Sequence, residues 1–406
     1  MCREMRDSGI QWIGKIPQGW KLIKYKYFAT SGMGETILSE RLSDDGVPVY
    51  SATQSDKVFG YLKNPNLILK RGDLVIPARG NSIGCVSIIK DEIATCTQTT
   101  IYSRIDGISR EYLYYCCNGL KDNWFEFDNT AIPQITVNQV QNNIVPVPEE
   151  YEQIKIANYL DKKVSQIDDI ISKQKSLIEK YKAYKQSLIT ETVTKGLNKN
   201  VPMKDSGIEW IGEIPSHWNI EKGKHILNLL SRQVNEEDEV ITCFRDGEVT
   251  LRSNRREEGF TFADKEIGYQ GIEPGDLVIH GMDGFAGAIG ISDSRGKASP
   301  VLNVCDTKEN KRYIMYYLRR LAYNNVFLAL ATGIRVRSCD LRWNKIGNLL
   351  YPIPPKDEQD IIVDYLDNKI IKIDNLVQIK QDYVDKLEEY KKSLIYECVT
   401  GKREVN

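Results

Sequence analysis

Two stretches of the chain carry a row of mostly apolar residues at alternating spacings of four and three. The first row is Leu160, Val164, Ile167, Ile171, Gln174, Ile178, Tyr181 and Leu188. The second is Leu366, Ile370, Ile373, Val377, Lys380, Val384, Leu387 and Leu394. That spacing is the a/d seam of a coiled coil, and Lys, Glu, Asp and Gln fill most positions between. Neither stretch contains Pro or Gly. Pro148 and Pro355 stand just before them, where a helix tolerates Pro, and Gly196 and Gly401 stand where a helix stops. The pattern predicts two helices of about 45 residues, each about 65–70 Å long.

The segments between read differently. Short apolar runs broken by turns predict strands: LVIPA, CVSII, TIYSRI and NIVPVP in residues 21–145, and EVITCF, DLVIH and GAIGIS in residues 219–351. One helical pattern interrupts each segment, starting at Ile108 in the first and running from Lys308 to Leu330 in the second. Each segment is expected to form a compact α+β domain.

The chain also repeats itself. Residues 5–20, MRDSGIQWIGKIPQGW, return at 203–218 as MKDSGIEWIGEIPSHW. GDLVI occurs at Gly72 and at Gly275. The stretches starting at Pro146 and Pro352 share Glu-Gln (Glu152-Gln153, Glu358-Gln359), Tyr-Leu-Asp (Tyr159 to Asp161, Tyr365 to Asp367) and Ile-Asp (Ile167-Asp168, Ile373-Asp374). The order is fixed, variable, fixed, twice over. Two copies are too few for a solenoid and suit a pseudo-dimer on one chain. Each long helix could pack on its own domain. The two-fold relation of the halves favours the other arrangement, in which the helices pair antiparallel, with Gln174 and Lys380 fixing register at some cost in stability. The fold class is therefore α+β: two pseudo-two-fold-related α/β domains, 1–148 and 197–355, separated by a pair of long helices, 149–196 and 356–403, that form an antiparallel coiled coil.

Composition sets limits. The chain has 406 residues, 41% hydrophobic and 27% charged, with 55 Lys+Arg against 56 Asp+Glu. A net charge of -1 excludes a histone-like binder but not local basic patches. No run is long and apolar enough to span a membrane, and MCREMRDSG lacks a signal-peptide core, although Met5 offers a second start. The nine Cys are scattered, as expected for reduced thiols in a cytoplasmic protein.

The polar loops are the candidate binding surface, because Arg, Gln and Asn can make two bonds to a base edge and Arg neutralises phosphate. Loops 51–57, 78–84 and 128–139 contribute Gln54, Arg79, Asn81, Gln134 and Thr136. Loops 245–259, 280–287 and 332–343 contribute Arg245, Arg252, Arg255, Arg256, Arg335 and Arg337. The last five are two arginine clusters with no equally dense acidic run beside them in sequence. Solvation alone also makes loops polar.

Catalytic patterns fail on inspection. GIQWIGK at Gly9 starts like a phosphate-binding loop, but Ile16 replaces the required Ser or Thr and the duplicate has Glu213 in place of the Lys. Gly32-Met33-Gly34 has no apolar strand before it and no acidic residue in the right context. Asn64-Pro65-Asn66-Leu67 lacks the second Pro and the aromatic of the amino-methyltransferase motif. His217, His225 and His280 are too dispersed for a zinc set.

In combination, DSGIxWIGxIPxxW at both domain starts, GDLVI in both domains and the two P-x-P-x3-EQ-x5-YLD segments resemble the DNA specificity subunit of type I restriction–modification systems, over the whole chain and in the family's order. The resemblance implies two target-recognition domains, each reading one half of a bipartite DNA site, and a coiled coil that sets the half-site spacing. It implies two adenine-N6 methyltransferase subunits docked on the frame, with restriction subunits joining them. S-adenosylmethionine, ATP and Mg²⁺ would belong to those partners. This chain would be non-catalytic and hold no metal. Two other classes remain: a coiled-coil protein with two protein-binding heads, and an enzyme with an unrecognised site.

Overall fold

A computed structural model of the chain describes residues 3–53, 58–80, 82–124, 134–255, 267–330 and 341–405. Two long helices, Glu150–Lys195 (46 residues) and Lys356–Val399 (44 residues), run through two compact units. The first unit is Met1–Lys175 with Gln381–Asn406, and the second is Ser176–Lys380. The central helix therefore begins in the first unit and ends in the second, and the C-terminal helix does the reverse.

In the first unit the hairpin Met5–Asp7 with Lys15–Pro17 opens the chain, and strand Lys21–Lys24 then pairs antiparallel with Ile144–Val147. The start of the variable segment is thus bonded to its end. Between them an antiparallel sheet is ordered Ala29–Met33, Thr100–Ile105, Leu74–Pro77, Ser87–Ile88. A second sheet is ordered Gly60–Leu62, Val47–Tyr50, Ile93–Cys96, Leu69–Lys70 and holds one parallel pair. The run CVSII yields only the two-residue strand Ser87–Ile88.

The second unit repeats the scheme. Met203–Asp205 pairs with Glu213–Pro215, and Asn219–Lys222 with Leu350–Ile353. Its four-stranded sheet is ordered Leu227–Leu229, Leu302–Thr307, Leu277–His280, Ile289–Ile291. Two further pairs, Ile241–Cys243 with Val249–Leu251 and Gln270–Ile272 with Gly296–Ala298, complete its described strands.

The repeated motifs have physical explanations. In GDLVI the Gly takes the left-handed turn (φ 88° at Gly72, 85° at Gly275). The next residue, a buried Asp, closes that turn by accepting the amide of Lys70 or Glu273 at 2.8 Å. The apolar run then forms a strand buried on both faces. The last Trp of the opening motif reaches the Glu of the helix-entering Glu-Gln: Trp20 Nε1 to Glu152 Oε2 at 3.0 Å, Trp218 Nε1 to Glu358 Oε2 at 3.1 Å. The neighbouring Gln is buried and accepts an amide from the start of the domain helix, Ser109 N in one unit and Asn310 N in the other.

Those domain helices are Arg110–Trp124 and Lys311–Tyr323. The second stops short of the expected Leu330. Asn325 sits at φ 58°, a conformation Asn tolerates, and a separate short helix Val326–Ala329 follows. Tyr112 and Tyr313 play one role: each donates to the carbonyl of the Pro opening its fixed segment (Pro146, Pro352) and to the last turn of a long helix, Val399 in the first unit and Val193 in the second.

The long helices pack antiparallel within each unit. In the first, Lys391 pairs with Asp168 (2.6 Å) and Lys175 with Glu388 (2.8 Å), so the residue numbers run in opposite directions. In the second, Lys185 pairs with Asp374 at 2.7 Å. Leu160, Ile167, Ile171, Ile178, Leu366, Ile373 and Val384 are buried, while Val164, Ile370, Val377 and Leu387 are half-buried. In the first unit's core Ile167 and Ile171 join Val384 and Leu394; in the second, Leu188 joins Leu366 and Ile373.

Candidate nucleic-acid interface

Arg79 leaves the buried strand Leu74–Pro77 and is exposed. It forms an isolated bridge with Gln134, and the adjacent Ile135 amide donates to the Ala78 carbonyl at 2.9 Å. Thr136 follows as the cap of helix Val137–Asn142, its Oγ1 accepting the Gln139 amide while the Gln139 side chain accepts the Thr136 amide. Ser82 Oγ donates to the Ala52 carbonyl at 3.0 Å. The three polar loops of the first unit therefore meet, through contacts their described residues make. Arg79, Gln134 and Thr136 are brought together; Gln54 and Asn81 lie outside the described residues. Thr136-x-x-Gln139 is a capping box, so a structural task for that hydroxyl was readable in the sequence.

The second unit makes the equivalent closure. Leu341 N donates to the Gly281 carbonyl at 2.8 Å, and Asn303 Nδ2 donates to the Leu341 carbonyl at 3.0 Å. In both units the loop after GDLVI is thus pinned to the segment that returns toward the frame. The hairpin Ile241–Cys243 with Val249–Leu251 gathers three of the arginines. Arg245 Nη2 reaches Asp283 at 3.0 Å, tying the hairpin to loop 280–287. Arg252 is half-buried, with its Nε 3.3 Å from Thr242 Oγ1. Arg255 lies over the Phe244 ring, 4.2 Å from its centre, and pairs with Asp246 (2.7 Å) and Glu248 (2.9 Å). Arg256, Arg335 and Arg337 lie outside the described residues.

Three acids stand beside these arginines. Asp246 and Glu248 belong to the same hairpin turn, in Arg-Asp-Gly-Glu, and Asp283 to Gly-Met-Asp-Gly. Exposed pairs of this kind contribute about 0–1 kcal/mol, so an incoming phosphate can compete for the guanidinium. The Phe244 face holds Arg255 in place as its partners change. His280 shapes the neighbouring turn: its Nδ1 accepts the amides of Met282 (3.2 Å) and Asp283 (3.0 Å). Burial pushes the pKa of that imidazole below its ordinary value, and Arg245 adds to this against the opposing pull of Asp283. The neutral ring is the form that can accept.

No group of His, Cys, Asp and Glu among the described residues could hold a metal ion. No described helix is long and apolar enough to cross a membrane. The seven described Cys are free thiols, and burial pushes Cys96 up to about 11 and Cys243 to about 12.

Residues 17–180 match the family described as the type I restriction modification DNA specificity domain. The type I restriction enzyme MjaVIII specificity subunit of Methanocaldococcus jannaschii is 23% identical over 414 residues, spanning 96% of this chain and 94% of that protein. A solved chain, reported for the structural basis of complex assembly and conformational transition of the type I R-M system, superposes with a TM-score of 0.68 at 15% identity. The match covers 96% of this chain and 99% of that one, which establishes a shared fold.

Proposed function

We propose that this chain, which belongs to the type I restriction–modification DNA specificity family, reads a two-part DNA target, one part with each unit. The reading rests on the paired closure of the loops. Each unit holds a divergent polar surface on one bond that both units share, Ile135 N to Ala78 O or Leu341 N to Gly281 O. A fixed mount with a variable face suits two readers that share a geometry and differ in sequence preference. Arg79 and Gln134 offer base-edge contacts, and Arg245, Arg252 and Arg255 offer phosphate or guanine contacts. Gln54, Asn81, Arg256, Arg335 and Arg337 belong to the same proposed surface by their place in the sequence. The recognition domains are taken as 1–148 and 197–355, with spacer helices 149–196 and 356–403.

The helices act as the ruler. One heptad adds about 10 Å of helix, close to three base pairs. Inserting a heptad in both helices should lengthen the spacer between half-sites by about that amount. The frame also offers a docking face. Outside the seam, Leu177 and Tyr184 of the second unit stand seven residues apart on the central helix and are exposed, as are Tyr383 and Tyr390 of the first unit on the C-terminal helix. Two equivalent apolar rows suit two copies of one partner, here the adenine-N6 methyltransferase subunit, with restriction subunits added to that assembly. S-adenosylmethionine would lie on the methyltransferase, and ATP and Mg²⁺ on the restriction subunit. Flipping and methylating the base fall to the partner, and this chain performs no chemistry.

The test is a single-molecule methylome of the host with and without the gene. Deletion should erase one bipartite N6-methyladenine motif. An unchanged methylome, in a host where this chain co-purifies with an active methyltransferase, contradicts the reading.

A further inference from the structure

The two units solve one packing problem in opposite ways. Each must satisfy the carbonyl of the first Trp of its opening motif, Trp12 or Trp210, where the end of a long helix meets the domain helix. In the first unit the donor arrives on the long helix: Tyr396 Oη donates to the Trp12 carbonyl. Lys402 supports the phenol, with Nζ 2.9 Å from Tyr396 Oη. The facing position of the domain helix is Gly119. A Cβ there would lie 2.9 Å from Ile395 Cγ2 and 3.2 Å from Val399 Cγ2, so a side chain at this position requires the two helices to shift apart.

In the second unit the donor is on the domain helix instead. Arg320 donates to the Trp210 carbonyl. Its position matches that of Gly119, each lying four residues after the Tyr that bonds an Asp of a long helix, Tyr115 to Asp161 and Tyr316 to Asp367. The residue matching Tyr396 is Thr190, each lying three residues before the valine whose carbonyl accepts the buried tyrosine, Val399 and Val193. Arg320 is 6% exposed, and its Nε and Nη1 have no partner among the described residues. A guanidinium so poorly satisfied is costly to bury, which argues for a compensating role.

We propose that Gly119 with Tyr396, and Arg320 with Thr190, form a matched key that assigns each helix end to its own unit. By matched position a large donor stands on one helix and a small residue on the other in both pairs, but the sides are exchanged. Thr190 placed opposite Gly119 would leave a hole and an undonated carbonyl. Tyr396 placed opposite Arg320 would press two bulky donors onto one acceptor. Both mismatches destabilise, the first by a cavity and a lost bond, the second by overpacking. A duplicated chain whose ends were interchangeable could exchange them with a second copy and assemble open-ended chains. The key favours closure of each chain on itself.

The test uses the full chain. Tyr396→Thr should lower the melting temperature by about 3–6 °C, and Gly119→Arg by more. The double variant rebuilds the second unit's solution in the first and should regain at least half of the summed loss. Strictly additive losses overturn the proposal. Should Gly119→Arg fail to fold, Arg320→Gly with Thr190→Tyr poses the same question from the other side, with the same additive result against it. The Gly119→Arg/Tyr396→Thr chain then carries the same key twice. After unfolding and refolding it should yield at least twofold more domain-swapped dimer than the native chain, by size exclusion with light scattering. An unchanged monomer yield contradicts the assigning role.

Discussion

Beside its four-stranded antiparallel sheet, the first unit builds a second continuous sheet of four strands; in the described residues of the second unit the corresponding two strand pairs are joined only by the isolated parallel bridge Val240–Lys297. At the frame the units share most of their bonds, the donor to the Trp12 or Trp210 carbonyl being an exception. Trp20 and Trp218 reach a glutamate, Gln153 and Gln359 cap a domain helix, and Tyr115 and Tyr316 each hold an aspartate at 2.6 Å. The contrast separates two kinds of constraint. Frame residues meet a long helix whose geometry is shared, so both copies need the same donors and acceptors. Loop residues of the variable segments meet the frame at few points, such as the Arg319 bond to the Asp246 carbonyl, and are freer to diverge.

The largest expected effect tests the sameness of the frame. Trp20 and Trp218 are 2% and 0% exposed, and either one changed to Ala should cost about 3–5 kcal/mol, read from denaturant midpoints. Near-equal losses support a common frame, and a loss confined to one unit breaks it. A smaller effect is expected at the tyrosine–aspartate bonds. Tyr115→Phe and Tyr316→Phe should each cost about 1.5 kcal/mol, the contribution of a bond to a charged acceptor at a partly buried site.

The diverged surfaces should respond in binding, not in stability. Arg255→Ala should weaken DNA binding through the second half-site alone and lower the salt slope by about one. Asp246→Asn should act in the opposite direction, because it releases Arg255 from one of its two carboxylates. Equal effects of both changes would remove Arg255 from the contact surface. The smallest effect is at His280. Its depressed pKa means that protonation opposes the folded turn, so its contribution is present above the unfolded value of about 6.5 and lost as pH falls through that value toward the folded one. An NMR titration should place His280 below 6.5; a value at or above it contradicts the acceptor role.

The long helices and the duplication were legible because seam and motif are periodic and local. The strands LVIPA, TIYSRI, DLVIH and GAIGIS were legible as apolar runs between turns. The early end of the helix at Tyr323 was not, because the pattern continues through Asn324-Asn325 and only the backbone at Asn325 breaks it. The candidate surface was legible as residue types and not as a site. Arg255 stands nine residues from Asp246 in sequence, and only the hairpin makes them partners. The exchange of Gly119 and Tyr396 for Arg320 and Thr190 was equally hidden, since it joins positions far apart in the chain and shows only when the two units are read against each other.

The central claim is that each variable segment reads its own half of the target. Exchanging residues 21–145 for the matching segment of a type I specificity subunit, followed by methylome sequencing, tests it most directly. One half of the methylated motif should change, with the other half and the spacer kept. A change in both halves, or in neither while methylation persists, would contradict the account.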